Sequence, residues 1–587
     1  LHETAQLRHP VAAAWLDGGK TLCVANRESG TVSLIDIEAK TVTAEVRVGE
    51  RLSDLTVLPD GQHLLVTDEQ RNELVLLSRD GGELHVLERI TVADAPVSVR
   101  RLGDGSRCTV AGRWSRRLDV LEMRDERREM REQRREAGDE TVTAQNLSSL
   151  NSHLSSVLHS IPLPFEPRCQ LVLPGSTRVL VADAFGGAVA VVNVESGRVE
   201  SVRSLPAHNI RGLALADDGK TVLLAHQQLN RLARADFDDV HWGMLITNVL
   251  RTLPVESLLD PEADLLETSR VIQLGTVGDG AADPAAVAVD HQGRWIVALS
   301  GVNEAAIVTA KGLDVNRLDV GRLPAFVLPD PKSDRAVVVN TFSDSVTVLD
   351  TEAGRVLAEI SLGPQPELGP VERGRRLFHD ARLSHDRWMT CHSCHTDGHT
   401  TGLLTDTLGD GAYGSPKRTL SLLGTGPSGP WAWNGQMKEL HDQVFKSIET
   451  TMHADDEITA EQVSDLTAYL MTLPPPPPLM PVESASDEER EQIERGGRVF
   501  ERQGCNRCHV PSLTYTTEGA FDVGLADEIG TTKFNPPSLR GVGRRGRLFH
   551  DGRAATLEEV FDRFGHQLGA RLSEQERADL LRFLRSL

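Results

Sequence analysis

Two short stretches carry residue types and spacing that could do chemistry: Cys391-His-Ser-Cys394-His395 and Cys505-Asn-Arg-Cys508-His509. Each places two thiols three positions apart with a histidine immediately after. Three chemistries use such a cluster: a zinc site, a redox dithiol, or covalent attachment of haem. Zinc would want the two pairs acting together within about 12 to 20 residues, whereas these stand 114 residues apart. A redox dithiol would want a βαβ context, which neither segment has. In the remaining chemistry the thiols add across the haem vinyl groups and the adjacent histidine ligates the iron. The motifs therefore predict two haem c groups, held by Cys391, Cys394 and His395, and by Cys505, Cys508 and His509.

Attachment of this kind takes place outside the cytoplasm, so the chain is expected to be periplasmic or otherwise exported. Its first residues, LHETAQLRHP, contain no signal-peptide pattern, and the expectation is that a leader has been cleaved. The remaining cysteines, Cys23, Cys108 and Cys169, sit in apolar stretches and read as small buried hydrophobes. A Cys108–Cys169 disulfide is an open alternative.

Whatever positions these motifs must be large. The 587 residues call for two to four domains. Hydrophobic residues at 39% and charged residues at 25% are ordinary for a soluble globular chain. No run of 18 apolar residues exists, so no transmembrane segment is expected. The net charge of −22 argues against nucleic acid and anionic lipid as partners.

The first 363 residues repeat a polar turn, a β-branched run, a second turn and a second run. The units begin near Asp17, Pro59, Asp104, Pro174, Asp217, His291 and Asp330. Uninterrupted units lie about 40 to 45 residues apart, the period of a four-stranded propeller blade. Seven such blades bury each other's faces in a ring. Two intervals hold insertions, near 122–160 and 228–268. The first contains EMRDERREMREQRREAGDE (122–140), a solvated charged helix or arm. The second contains Trp242, Met244 and Leu245, too apolar for a free loop, and is expected to pack on the C-terminal part.

After residue 363 the strand pattern stops and a duplication begins. ERGRRLF (372–378) and ERGGRVF (494–500) each open a helical lobe with one haem motif. Each lobe closes on a capped amphipathic helix, with Thr459/Gln462 and Ser573/Glu576 as capping boxes. The lobes are placed at 364–481 and 482–587, separated by the stiff run PPPPPLMP (474–481). The fold class is thus an all-β seven-bladed propeller followed by a mainly α pair of cytochrome c-like lobes.

The repeats of 1–363 resemble YVTN-type propellers of bacterial extracytoplasmic proteins. The segment 364–587 resembles the bacterial dihaem cytochrome c peroxidase/MauG family. It is similar in LFHDARLSHDRWMTCHSCH, in WNG at Trp433–Gly435, in Gln443 ten residues after Trp433, and in FNPPSLRGVGRRGRLFHDGRAATLEEVF (534–561). The resemblance implies an oxidoreductase that uses hydrogen peroxide at the first-lobe haem. The second-lobe haem would be the electron-transfer haem, and Trp433 the relay between them.

It also implies a partner, either a small redox protein (a cytochrome or cupredoxin) or a protein or peptide substrate of the MauG kind. The alternative is an electron-transfer dihaem cytochrome with a propeller docking module and no peroxidase activity. Gln443 would position oxygen. His453, ten residues further, stands where the family has its acid/base glutamate, with Glu449 as the second candidate. The family's distal ligand of the second haem falls at Phe564, which cannot ligate; His566 is the best substitute and His550 the next. Bis-histidine ligation would lower that haem's potential. The family's inter-haem calcium is weighed against Arg418, which occupies the place of an asparagine ligand. His392 and His399 read as structural or exposed.

Overall fold

The computed structural model describes residues 5–80, 82–103, 105–125, 152–175, 177–309 and 314–587. Among them are seven four-stranded antiparallel sheets, at 10–47, 52–91, 96–162, 167–204, 208–273, 284–319 and 324–361. Strands follow one another across every sheet in chain order. The second and third strands are buried on both faces, as in Thr21–Asn26 and Trp295–Leu299. That explains their unbroken β-branched runs. The outer strand alternates instead, as in Arg198–Ser204.

The first strand of each sheet lies against the first strand of the next, and Pro324–Pro329 lies against Pro10–Leu16, closing a ring of seven blades. Among the described residues no strand is exchanged at the closure, which side chains reinforce: the Asp344 carboxylate accepts from the backbone N–H of Arg8 at 3.0 Å and of His9 at 2.7 Å. Thr341 Oγ1 donates to the Pro10 carbonyl at 2.8 Å and Trp15 Nε1 to that of Pro329 at 2.9 Å.

No disulfide joins Cys108 and Cys169; both thiols are free, and burial pushes each up to about 12. The charged segment 122–140 lies, from residue 126 on, outside the described residues.

The second compact unit is not continuous in sequence. It comprises 227–248, 275–283 and 368–587. Its core joins Ala233, Val240, Leu245 and Ile246 of the first segment to Phe378, Met389, Ile448 and Leu466 of the last. Of the three apolar residues singled out in the second insertion, Leu245 is buried there, while Trp242 and Met244 remain 60% and 52% exposed.

The duplication is visible as two helix pairs. For reference, α1 is Phe237–His241, α2 Pro370–Phe378, α3 Cys391–Cys394, α4 Leu440–Ser447, α5 Ala460–Thr472, α6 Asp487–Arg502, α7 Leu557–Asp562 and α8 Glu574–Arg585. Helix α2 packs on α5, and α6 on α8. The repeated Arg-Gly pair makes both crossings. Arg373 bridges to Asp465 at 2.6 Å and Arg495 to Asp579 at 3.0 Å.

A Cβ on Gly374 would stand 1.9 Å from the Asp465 carbonyl oxygen, and one on Gly496 2.1 Å from that of Asp579. Only glycine lets the helices approach so closely. Phe378 and Phe500, four residues on, fill the cores. Thr459/Gln462 and Ser573/Glu576 form reciprocal capping boxes at the starts of α5 and α8. The proline run is gripped by arginines: Arg544 donates to the carbonyls of Pro477 and Pro478 at 2.7 and 2.8 Å, and Arg582 to that of Met480 at 2.9 Å. Among the described residues no helix is long and apolar enough to cross a membrane.

Candidate haem sites

Both predicted histidine ligands are built alike. Helix α3 starts at a capping box in which Thr390 and Ser393 satisfy each other's backbone. It sets Cys391 and Cys394 one turn apart and delivers His395 at its end. His395 Nδ1 is 2.9 Å from the Leu420 carbonyl oxygen. In the second lobe His509 Nδ1 is 3.0 Å from the Tyr515 carbonyl oxygen. A carbonyl only accepts, so Nδ1 carries the proton and Nε2 keeps its lone pair. Burial holds both imidazoles neutral, pushing each down to about 4, against hydrogen bonds that favour the charged form. A neutral imidazole with a fixed tautomer and a free Nε2 is what an iron ligand requires.

His395 opens onto a cavity of about 320 Å³. Cys391, Cys394, Phe378, Leu420, Val444, Met452, Leu466 and Leu470 line its apolar part. Thiols, a neutral imidazole and an apolar chamber fit a covalently held haem. Cys505, Cys508 and His509 fit one as well: Cys505, like Tyr515, Phe549, Phe564 and Phe583, packs against the second core.

Gln443, on α4, lines the first cavity. Its Nε2 donates to Ser447 Oγ at 3.0 Å, while its buried Oε1 has no partner. Glu449 and His453 do not line the cavity. After α4 the chain runs through a π-helical turn, Ile448–Met452, and His453 follows in the left-handed region at φ 52°. The ten-residue spacing carried over from the family resemblance therefore does not bring His453 to the cavity. Glu449 is left exposed, and His453 Nε2 stands 3.1 Å from the Ala235 carbonyl oxygen instead.

Trp433 lines the same cavity. Its Nε1 donates to the Arg418 carbonyl at 2.8 Å, and its own carbonyl accepts from Asn535 N–H at 2.8 Å. His550 meets it edge-on at 6.4 Å between ring centroids and stacks flat on Phe534 at 4.0 Å. Trp433 therefore sits in an aromatic contact between the first-lobe cavity and second-lobe side chains. Arg418 is buried with its guanidinium 5.3 Å from the Trp433 ring centre. Burial, then the neighbouring charge of Arg545, lowers it to about 9.

Burial lowers the His566 imidazole from its ordinary value. Its Nδ1 is buried without a partner, and its ring meets Phe549 at 5.3 Å. Phe564 packs edge-on against the same Phe549 at 5.4 Å.

His392 and His399 are both buried rather than exposed. His399 Nδ1 is 2.9 Å from Ser421 Oγ. His392 Nδ1 stands 3.3 Å from Asp283, a residue the sequence reading did not single out. The fully buried Asp283 accepts from Thr390 Oγ1 at 2.6 Å and Ser393 Oγ at 2.7 Å. Burial alone would raise its carboxyl. The charge and hydrogen bond of His392, then the two hydroxyls, outweigh that and hold it well below the usual carboxylate range. Asp283 thus ties segment 275–283 to the first haem motif across 107 residues of sequence.

Comparisons with known proteins match the C-terminal part of the chain in sequence. Residues 370–473 match the family model of the di-haem cytochrome c peroxidases. The cytochrome c551 peroxidase of Nitrosomonas europaea is 24% identical over 306 residues, 43% of this chain and 91% of that protein. The methylamine utilization protein MauG of Methylorubrum extorquens is 25% identical over 287 residues, 38% and 81% respectively. A solved structure of Kuenenia stuttgartiensis hydrazine synthase aligns with a TM-score of 0.48 at 19% identity, over 60% of this chain and 97% of that one. After seven propeller blades, the C-terminal part of this chain is a di-haem cytochrome c peroxidase/MauG domain.

Proposed function

We propose that this chain is an exported di-haem oxidoreductase that reduces hydrogen peroxide at its first motif and moves electrons between its two motifs through Trp433. Haem held at Cys391/Cys394 would supply the redox iron for peroxide, and haem held at Cys505/Cys508 the electron store. The observation that carries the reading is the cavity shared by His395 and the unpartnered Gln443 Oε1.

The chain's own groups have these tasks. Leu420 and Tyr515 carbonyls fix the tautomers of His395 and His509, so each offers Nε2. The Gln443 amide, held by Ser447, accepts a hydrogen bond from peroxide and orients it; apolar neighbours keep bulk water out. Proton delivery by His453 or Glu449 would need the turn 448–453 to move, so Gln443 is the residue that meets the substrate. Trp433, clamped by Arg418 and Asn535, is the conductor between lobes. His566 would help hold the haem of the second site, and His550 belongs to the stack beside Trp433. The guanidinium of Arg418 supplies the positive charge that calcium would bring, and no ion is invoked there. The electron partner is a small redox protein, or a protein or peptide oxidised in the manner of MauG.

The test is peroxide turnover by the purified full-length holoprotein. Two haems per chain and a rapid peroxide-induced spectral change are expected. Trp433→Phe should keep that change and slow donor oxidation at least about tenfold, the size expected when positioning of a transfer path is lost. A wild type with spectra inert to peroxide would refute the peroxidase reading and leave the electron-transfer module. A fully active Trp433→Phe would remove the relay.

A further inference from the structure

A second cluster of metal-type ligands lies in the same unit, away from the haem cavity. His241 closes α1, in the segment 227–248. Its Nδ1 is 2.6 Å from Asp386 Oδ2. His385 Nε2 is 3.3 Å from His241 Nδ1 and 3.3 Å from Asp386 Oδ2. The three ligand atoms therefore converge on one point. None of these residues lines the cavity beside His395.

The other nitrogen of His385, Nδ1, is bonded to the Asp455 carboxylate, so it carries a proton. His241 Nδ1 can give its proton to Asp386. With its ring neutral, His385 Nε2 faces a carboxylate oxygen and an already committed nitrogen; either a second proton on the ring or a cation at the centre closes the set, and zinc uptake separates the two. In a tetrahedral zinc site with bonds of about 2.0–2.1 Å, ligand atoms stand roughly 3.3 Å apart. Two of the three edges have that length, and the third is a hydrogen bond the ion would replace.

The surroundings are those of a held ligand set. A carboxylate on the far nitrogen of a histidine is the common outer-sphere device for orienting a ligating imidazole. Asp455 also accepts from the Asp386 backbone N–H at 3.0 Å. Asp386 and Arg387 both adopt positive φ, 51° and 61°, without being glycine. Such strain persists where surrounding structure enforces it. The side chains of His241, His385 and Asp386 are 35%, 12% and 16% exposed, which leaves a fourth position for water. Two imidazoles and one carboxylate suit a borderline ion rather than calcium or magnesium, which prefer all-oxygen sites.

We propose that His241, His385 and Asp386, oriented by Asp455, bind one divalent ion of the zinc type, fastening segment 227–248 to the first lobe. The experiment uses the untagged, full-length, haem-loaded protein, dialysed against chelator and titrated with Zn²⁺ alone by calorimetry, with metal content read by mass spectrometry. One zinc per chain is expected beyond the haem irons. His385→Ala and Asp386→Asn should abolish uptake, and Asp455→Asn should weaken it about 10- to 100-fold, with haem absorbance unchanged in each. No zinc uptake by the wild type, or equal uptake by His385→Ala, would overturn the site. Should a variant lose its haem spectrum, zinc-edge X-ray absorption on the wild type decides. Two imidazoles with oxygen ligands support the assignment; thiolate ligation refutes it.

Discussion

His395 and His509 are prepared for a metal by one device used twice, a carbonyl that fixes Nδ1 and burial that keeps the ring neutral. What differs between the lobes is the company. Around the first motif, Asp283 accepts two hydroxyls of the Thr390–Ser393 turn and faces His392. Replacing it with asparagine leaves that turn and the histidine without their charge partner. Asp283→Asn should cost about 3 kcal/mol of stability at neutral pH, in line with breaking a buried pair. The pH dependence follows from the sign of its shift. A depressed carboxyl contributes stability above the ordinary carboxylate pKa of about 4, and that stability is lost as pH falls below it. The gap between wild type and Asp283→Asn should therefore be constant from pH 7 to 5 and narrow below pH 4, as read by denaturant unfolding. In the second lobe, His566→Ala should convert the haem spectrum toward high spin; a spectrum identical to the parent would exclude His566 as ligand. The haem cysteines and histidines were legible because their chemistry is local, within five residues. Asp283 was not, because its partners lie 107 and 110 positions away and no spacing rule reports such a pair.

At the scale of elements, the two helix crossings explain why ERGRRLF and ERGGRVF look alike. Arginine supplies the ion pair, glycine the close approach, and phenylalanine the core plug. Gly374→Ala should destabilise the first lobe by about 1–3 kcal/mol through overpacking against α5. Gly497→Ala is the internal control. Its Cβ would meet only Phe583 ring atoms at 3.6 and 3.8 Å, an ordinary contact. There alanine should be neutral or raise stability by up to about 1 kcal/mol through helix propensity. Thermal unfolding of the pair separates packing from propensity. The capping boxes and the seven blades were readable for the same reason as the haem motifs: caps and turn–strand units are set by neighbours in sequence. The turn after α4 was not. The family's ten-residue spacing from Gln443 points to His453, but the chain leaves α4 through a π-helical turn and a left-handed residue, and His453 stands on the Ala235 carbonyl.

At the scale of the whole molecule, the haem-bearing unit draws Gln227, His241, Asn248 and Asp283 from segments embedded among the blades. Asn248 Nδ2 donates to the Trp388 carbonyl at 2.9 Å and Gln227 Nε2 to Ser393 Oγ at 3.1 Å, both beside the first motif. A fragment starting at residue 368 would carry both haem motifs and still lack these partners. Expressed with haem-attachment machinery, it should yield unstable, protease-sensitive protein, whereas the full chain resists; a fragment as stable as the parent would show the segments to be dispensable. The strand-to-helix change near residue 364 marks where one pattern ends, yet it does not mark a seam. Deleting the whole stretch that encodes the blades from this chain would therefore also remove Gln227, Asn248 and Asp283 from the unit that carries both motifs.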